Sequence, residues 1–179
     1  MSATMDYLLD AVRRSVSAVH QDDVIKLIDS IVAAKTIFVF GIGRSGLVGQ
    51  SFCVRLVQLG FDVHFVGDMT TPIITEGDIT ILISNTGNTM SVVQTANIAS
   101  RVGSKVISIT DNTDSKLAIA SDVVVHLPVN RDKERSKCAP LGTVFETAAG
   151  IFLDSTIPTL MERLSKTESD MRKRHAIWV

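Results

Sequence analysis

Residues 36–46 read TIFVFGIGRSG, an apolar run that leads into three closely spaced glycines. The run Thr36–Phe40 shows no clear alternation of apolar and polar side chains, which is typical of a strand that is buried on both faces. Glycines directly after a strand predict a tight turn that opens a helix. This stretch therefore predicts one strand–turn–helix unit of a parallel sheet.

Apolar runs of this kind recur along the chain and alternate with helical stretches. Strands are predicted at Thr36–Phe40, Phe61–Val66, Ile79–Ile83, Lys105–Thr110 and Asp122–Leu127. Helices between them are predicted at Gly46–Leu59, Thr89–Val102 and Ser115–Ala120. The alternation predicts the α/β class, arranged as a three-layer α-β-α sandwich around a five-stranded parallel sheet.

Helices are also predicted before this core. Apolar residues recur at helical spacing between Asp22 and Ala34, with Asp22 or Asp23 as the expected N-cap. An earlier helix is indicated around Tyr7–Ser15, and its apolar face would be covered either by the domain or by a neighbouring chain.

After the core, the chain is predicted to be helical from Gly142 to about Leu164 and again near Glu168–His175. Pro158 is expected to kink or split the first of these helices. Basic and acidic residues alternate over 131–137, which is typical of a solvated loop. We therefore predict one domain over residues 1–179, with N-terminal helices at 1–34, the α/β core at 36–127 and C-terminal helices at 142–175.

Composition excludes several classes of function. The formal net charge is −1, and 45% of the residues are apolar but only 5% aromatic. The balanced charge and the apolar content exclude a disordered chain and a general polyanion-binding surface. With few aromatic side chains to stack on bases, no nucleic-acid partner is expected.

Other partners and ligands are constrained as well. No apolar stretch reaches the ~18 residues of a membrane span, and the first residues lack the pattern of a secretory leader. Cys53 and Cys138 lie far apart and lack metal-ligand spacing. We expect a cytoplasmic protein without membrane partner, metal or disulfide. The positive mean hydropathy of +0.27 further predicts a buried subunit interface, and hence a homo-oligomer.

The turn Gly41–Gly46 matches the dinucleotide fingerprint G-x-G-x-x-G in its strand-to-helix context. Asp68 follows the second strand roughly 20 residues on, where that fingerprint places a ribose-binding acid. Taken alone, this turn therefore favours a nicotinamide or flavin cofactor.

A second turn, Ser84–Thr89 (SNTGNT), leaves the third strand and also runs into a helix. Free N–H groups at a helix start and the hydroxyls of Ser84, Thr86 and Thr89 suit the oxygens of a compact monophosphate. A dinucleotide does not require such a second loop. The same residue types also serve ordinary helix capping and turn formation.

Several motifs occur together: Gly41–Gly46 (GIGRSG), Phe65–Gly67 with Thr71-Pro72, Gly77-Asp78, Ser84–Thr89, Pro140–Thr143 with Phe145-Glu146, and Arg174-His175-Ala176. In this combination the chain resembles the sugar isomerase (SIS) domain family and, within it, the 6-phospho-3-hexuloisomerases of the ribulose monophosphate pathway. It departs from their usual pattern at Asn85 and Thr86, where Gly and Ser are commoner, and at Ile177-Trp178, where Asn-Leu is commoner.

The resemblance implies a flavodoxin-like or Rossmann-like SIS domain that forms a homotetramer. It implies interconversion of D-arabino-3-hexulose 6-phosphate and fructose 6-phosphate through a 2,3-enediol, without metal or cofactor. The residues expected at the substrate phosphate are Arg44, Ser45, Ser84, Thr86 and Thr89, with backbone groups of Gly43, Asn85 and Gly87.

Two further side chains are expected to carry the chemistry. Glu146 lies early in an apolar helix and is the candidate base, although a first-turn acid also complements a helix dipole. His175 is the candidate proton shuttle or ring-opening group. Alternative functions are another SIS-type phosphosugar isomerase and a non-catalytic phosphosugar-binding module, and a dinucleotide-binding protein fits least well.

Overall fold

A computed structural model describes residues 2–175 and confirms the predicted α/β class. Five parallel strands form one sheet: β1 Ile37–Gly41, β2 Val63–Phe65, β3 Ile79–Ile83, β4 Lys105–Thr110 and β5 Val123–His126. The helices are α1 Ser2–Ser17, α2 Gln21–Ala33, α3 Arg44–Leu59, α4 Met90–Arg101, α5 Lys116–Ile119, α6 Arg135–Cys138, α7 Thr143–Arg163 and α8 Glu168–Arg172.

Helices flank the sheet, and successive strand residues enter two different apolar clusters. In β3, Ile81 and Ile83 belong to the cluster that includes residues of α1, α2, α3 and α7. Leu82, between them, packs with Val92 of α4 and Leu117 of α5. Because neighbouring side chains of a strand point to opposite faces, burial on both faces explains the uninterrupted apolar run.

The strand order determines which strand ends lie side by side. It runs β2-β1-β3-β4-β5, so β1 and β3 are neighbours and the chain crosses over in opposite directions from them. Gly41, the last residue of β1, pairs with Ile83, the last residue of β3. The turns that follow these two strands therefore start side by side, at the switch point where ligands bind in open α/β sheets.

Two details of the helices differ from the sequence predictions. Helix α2 has His20 as its N-cap, and Asp22 and Asp23 lie in its first turn. There the acids complement the helix dipole, so the prediction of either as the cap is wrong. Helix α7 continues through Pro158, so the predicted split is wrong, whereas the alternative of a kink stays a prediction. Its neighbours Ile157 and Leu160 are buried on both sides of the proline, and this packing offsets the lost backbone hydrogen bond.

Helix α6 lies in the charged segment that the sequence predicts as a loop. It is four residues long, too short for a helical period to show in the sequence. Among residues 2–175, no helix combines the length and the apolar character needed to cross a bilayer.

Candidate phosphate-binding active site

Glycines let α3 begin close against the end of the sheet. A Cβ atom on Gly46 would lie 2.5 Å from the carbonyl oxygen of Gly41, and one on Gly41 would lie 3.0 Å from the carbonyl oxygen of Ile83. Backbone atoms cannot move aside as a flexible side chain can. The G-x-G-x-x-G spacing therefore serves the close approach of the first turn, α3 and the end of β3.

The helices that follow the two turns have N-termini without side-chain caps. Gly43, the N-cap of α3, has no side chain, and Thr89, the N-cap of α4, makes no capping hydrogen bond. By contrast, the N-cap hydroxyls of Ser115 in α5 and Thr167 in α8 do accept one. The capping alternative thus fails for Thr89, and both helices keep first-turn N–H donors that an anion can bind.

Hydroxyl groups lie around these helix starts. Ser84 is 3% exposed; its Oγ accepts a hydrogen bond from the Gly87 N–H at 3.2 Å and lies 3.3 Å from Thr89 Oγ1. The Ser45 hydroxyl makes no hydrogen bond to another described residue and is free to donate. Thr86 differs, because its Oγ1 accepts from the Asn88 N–H at 3.3 Å and thereby shapes the turn.

The second turn is braced from β4 and α5. The carbonyl oxygen of Asn85 accepts hydrogen bonds from the Asp111 N–H at 3.1 Å and from Thr110 Oγ1 at 3.2 Å. Gly87 has φ +63°, and a Cβ there would lie 2.0 Å from Ser115 Oγ. No local sequence pattern indicates these bracing residues, because they lie at or after the end of β4 and only the sheet order brings them to the turn.

Glu146 links the two turns. It lies in the first turn of α7 with its side chain 14% exposed, and it forms an ion pair with Arg44, the first residue of α3. A Cβ on Gly142 would lie 2.8 Å from Glu146 Oε1 and 3.5 Å from Asn85 Nδ2. The carboxylate therefore contacts the first turn through Arg44, and it lies near the Asn85 side chain of the second turn, since both side chains approach Gly142.

His175 does not join this cluster within one chain. It lines a groove of ≈ 780 Å³ together with Arg55 near the C-terminal end of α3, whereas Glu146 lines a groove of ≈ 310 Å³ near its start. Asp154 borders both grooves. Arg44 borders the first groove and Arg55 the second, and at 1.5 Å per residue these two positions on α3 are about 16 Å apart. Residues Ala176–Trp178 of the terminal motif lie outside the described residues.

The largest pKa shifts belong to groups away from the two turns. Burial raises the pKa of the Cys53 thiol, on α3, to about 12, with Asp68 adding to the effect. The Thr167 hydroxyl, which donates to Asp170, holds the pKa of that carboxyl well below its usual range. Cys53 therefore stays a neutral thiol near pH 7 and is a poor nucleophile.

The arrangement favours anion binding next to proton transfer. Uncapped helix starts and hydroxyls can hold a phosphate dianion, and a largely buried carboxylate beside a guanidinium can remove a proton from a nearby carbon. Within residues 2–175, no group of three or more His, Cys, Asp or Glu side chains is placed to hold a metal ion. The candidate site is thus Arg44, Ser45, the turn 84–89 and Glu146.

Comparison with known proteins gives the family and the relatives of the chain. The SIS domain family model matches residues 30–147. The 3-hexulose-6-phosphate isomerase of Methanocaldococcus jannaschii is 44% identical over 83% of this chain and 80% of its own. That of Bacillus subtilis is 32% identical over 94% of each chain. A solved Methanococcus jannaschii structure, described as inferring the function of a 3-hexulose-6-phosphate isomerase, superposes with a TM-score of 0.86 at 37% identity, covering 96% of this chain and 98% of that one.

Substituting Gly87 tests whether the second turn holds phosphate. Gly87→Ala should weaken the binding of inorganic phosphate about tenfold, the equivalent of one charge-assisted hydrogen bond. The reason is that the new Cβ collides with Ser115 and forces the turn amides away. Gly150→Ala in α7 is the matched control, because no atom outside its own stretch of helix lies within 4 Å of its Cβ position. Titration calorimetry measures both, and equal affinity in the two variants would contradict a phosphate site at this turn.

Proposed function

This chain belongs to the SIS domain family, and on that premise we propose that it is a phosphosugar isomerase that interconverts 3-hexulose 6-phosphate and fructose 6-phosphate. Four proteins named 3-hexulose-6-phosphate isomerase are 32–44% identical to it over most of its length. The structural observation that carries the proposal is the Glu146 carboxylate beside two turns suited to a phosphate.

The reaction moves a carbonyl group between C3 and C2 of a ketose phosphate. In one direction a base removes the proton from C2, the 2,3-enediol forms, and a proton returns at C3 while the hydroxyl proton moves from O2 to O3. Glu146 is the proposed base, since it is the carboxylate that contacts the first turn and lies near the second. General acid–base catalysis of this kind supplies about 10²–10⁴ in rate.

Arg44 serves the same step from the other side. Its side chain is 65% exposed and pairs with the Glu146 carboxylate, so a substrate held at the proposed base would have its enediolate oxygen within reach of this cation. A fixed cation there stabilises the transition state more than the ground state. The proposed role of Arg44 therefore includes the enediolate as well as the phosphate.

The phosphate contacts position the reacting carbons. Ser45, Ser84, Thr89 and the turn amides are proposed to hold the C6 phosphate, with Thr86 shaping the turn. Binding energy at that remote group keeps C2 and C3 at the carboxylate, which is how an enzyme converts phosphate affinity into rate. A non-catalytic phosphosugar-binding module would need the same phosphate-binding turns but would not need Glu146.

Subunit association is proposed because His175 lies far from Glu146 in its own chain. The two grooves between α3 and α7 meet at Asp154, with Glu146 at one end and His175 at the other. A two-fold axis across this surface would bring the histidine of each chain to the glutamate of its partner. Exposed Leu47, Val54 and Ile151 lie on the same helices. We therefore propose a homotetramer that contains such pairs of chains. The cytoplasmic location stays a prediction.

Deuterium incorporation distinguishes the proposed reaction from related ones. Incubated with fructose 6-phosphate in heavy water, the protein should place deuterium at C3, because the 2,3-enediol is reprotonated there. Nuclear magnetic resonance of the recovered sugar measures the position of the label. Deuterium at C1 would indicate an aldose–ketose isomerase instead, and absence of both label and 3-hexulose 6-phosphate would indicate a binding module.

Mixing two inactive variants tests the shared site. Glu146→Gln should bind fructose 6-phosphate but lose turnover by about 10²–10⁴, and His175→Gln should also be impaired. If each site takes its glutamate and histidine from different chains, co-expression in equal amounts should restore about a quarter of the sites. The rate of the purified mixture measures this. A mixture no faster than its parents would contradict the shared site.

A further inference from the structure

Leu141 has an unusual backbone conformation next to the proposed base. Its φ is +57°, a left-handed conformation that is unfavourable for a leucine because Cβ crowds the backbone. Its side chain gains little from burial, since the residue is 89% exposed. Contacts made by the backbone, and not by the leucine side chain, must therefore hold this turn.

Arg135 supplies such a contact. Its NH1 group donates a hydrogen bond to the carbonyl oxygen of Leu141 at 2.8 Å. Arg135 is half-buried, and its Nε is fully buried without a hydrogen-bond partner. Burying a guanidinium N–H without a partner costs free energy. The hydrogen bond to Leu141 is the interaction of this side chain that offsets the cost.

Arg135 is in turn fixed by neighbouring elements. Its backbone N–H donates to Asp132 Oδ1 at 2.9 Å, and the hydroxyl of Tyr7 on α1 donates to the same oxygen at 2.9 Å. Burial, together with the Asp132 contact, raises the pKa of Tyr7, while the Tyr7 hydrogen bond lowers the pKa of Asp132. The donor and the acceptor thus keep these roles at neutral pH, and α6 is tied to α1.

The peptide that Arg135 holds also forms the wall against which the base lies. Gly142 follows Leu141 directly, and a Cβ on it would lie 2.8 Å from Glu146 Oε1. The Gly142 carbonyl oxygen accepts the Glu146 N–H at 2.9 Å. A change in the direction of the Leu141–Gly142 peptide would therefore displace the Glu146 carboxylate.

We propose that Arg135 is a positioning residue for the catalytic base: it holds Leu141 in its left-handed conformation and thereby fixes Gly142 against Glu146. The inference rests on the proposed function, because it assigns Arg135 to the chemical step. Other basic residues of the segment do not share this contact. Arg131 pairs with Asp111 and Lys137 pairs with Glu134, and both cations are at least 70% exposed.

The variant Arg135→Met tests the proposal in the full-length protein. It should lower kcat about tenfold, because a small misplacement of a reacting group is enough for a loss of this size. The KM for fructose 6-phosphate should stay within about twofold, because the phosphate contacts lie on other segments. Lys137→Met, in the same short helix, is the matched control and should keep both constants. Gly142→Ala, which crowds Glu146 directly, should also lower kcat and spare KM.

A second variant connects the effect to the backbone of Leu141. Asn adopts the left-handed conformation more readily than Leu, so in a Leu141→Asn background the loss of kcat caused by Arg135→Met should shrink to about threefold or less. Arg135→Lys keeps one cationic donor, so its kcat should lie between those of the wild type and Arg135→Met. If Arg135→Met does not fold, the kcat of Arg135→Lys tests the proposal instead.

Several outcomes would overturn the proposal. Unchanged kcat in Arg135→Met, or in Arg135→Lys if only that variant folds, would show that the contact does not position the base. So would a rise in KM at constant kcat, or an equal loss of kcat in the Leu141→Asn background. These results leave the proposed function standing as long as the wild-type protein labels C3. A wild-type protein without turnover would instead overturn the proposed function and this inference together.

Discussion

Parallel pairing of β1 with β3 is the constraint on which the site depends. Because Gly41 lies opposite Ile83 at the ends of these strands, the two following turns start side by side, and α3 and α4 both begin at this edge of the sheet. The glycines at 41 and 46 allow that approach, since a Cβ on either would meet backbone atoms. Two helix N-termini without side-chain caps then lie at the same edge of the sheet, which places N–H donors and positive potential from both helices at that edge.

Other segments of the chain hold the second turn in place and bring the proposed base to the site. The β4 and α5 residues Thr110, Asp111 and Ser115 hold the second turn from behind. Glu146, in the first turn of α7, forms an ion pair with Arg44 at the start of α3. Binding and chemistry are thus carried by different segments, so substitutions in the segment that precedes α7 are expected to change the rate and those in the turns to change affinity.

The sequence predicts the features that depend on local pattern. Buried strands read as unbroken apolar runs, so the sheet is predictable from the sequence. The glycine- and hydroxyl-containing turns at the strand ends likewise indicate where we propose that phosphate binds. Pro158 shows the limit of a local rule, because packing of Ile157 and Leu160 keeps α7 continuous. Residues that act across strands or segments, such as Ser115 against Gly87, Arg44 against Glu146 and Arg135 against Leu141, leave no local signal. The separation of His175 from Glu146 likewise depends on the length of α3 and could not be deduced from their motifs.

A crystal structure of the complex with fructose 6-phosphate tests the central claim most directly. The account predicts that the phosphate lies between the turns that lead into α3 and α4, with its oxygens within hydrogen-bond distance of Ser45, Ser84 and the amides of residues 85–89. It also predicts that the sugar carbons C2 and C3 extend towards Glu146. A phosphate bound elsewhere, for example at the basic residues 172–174, with the two turns empty, would contradict the account.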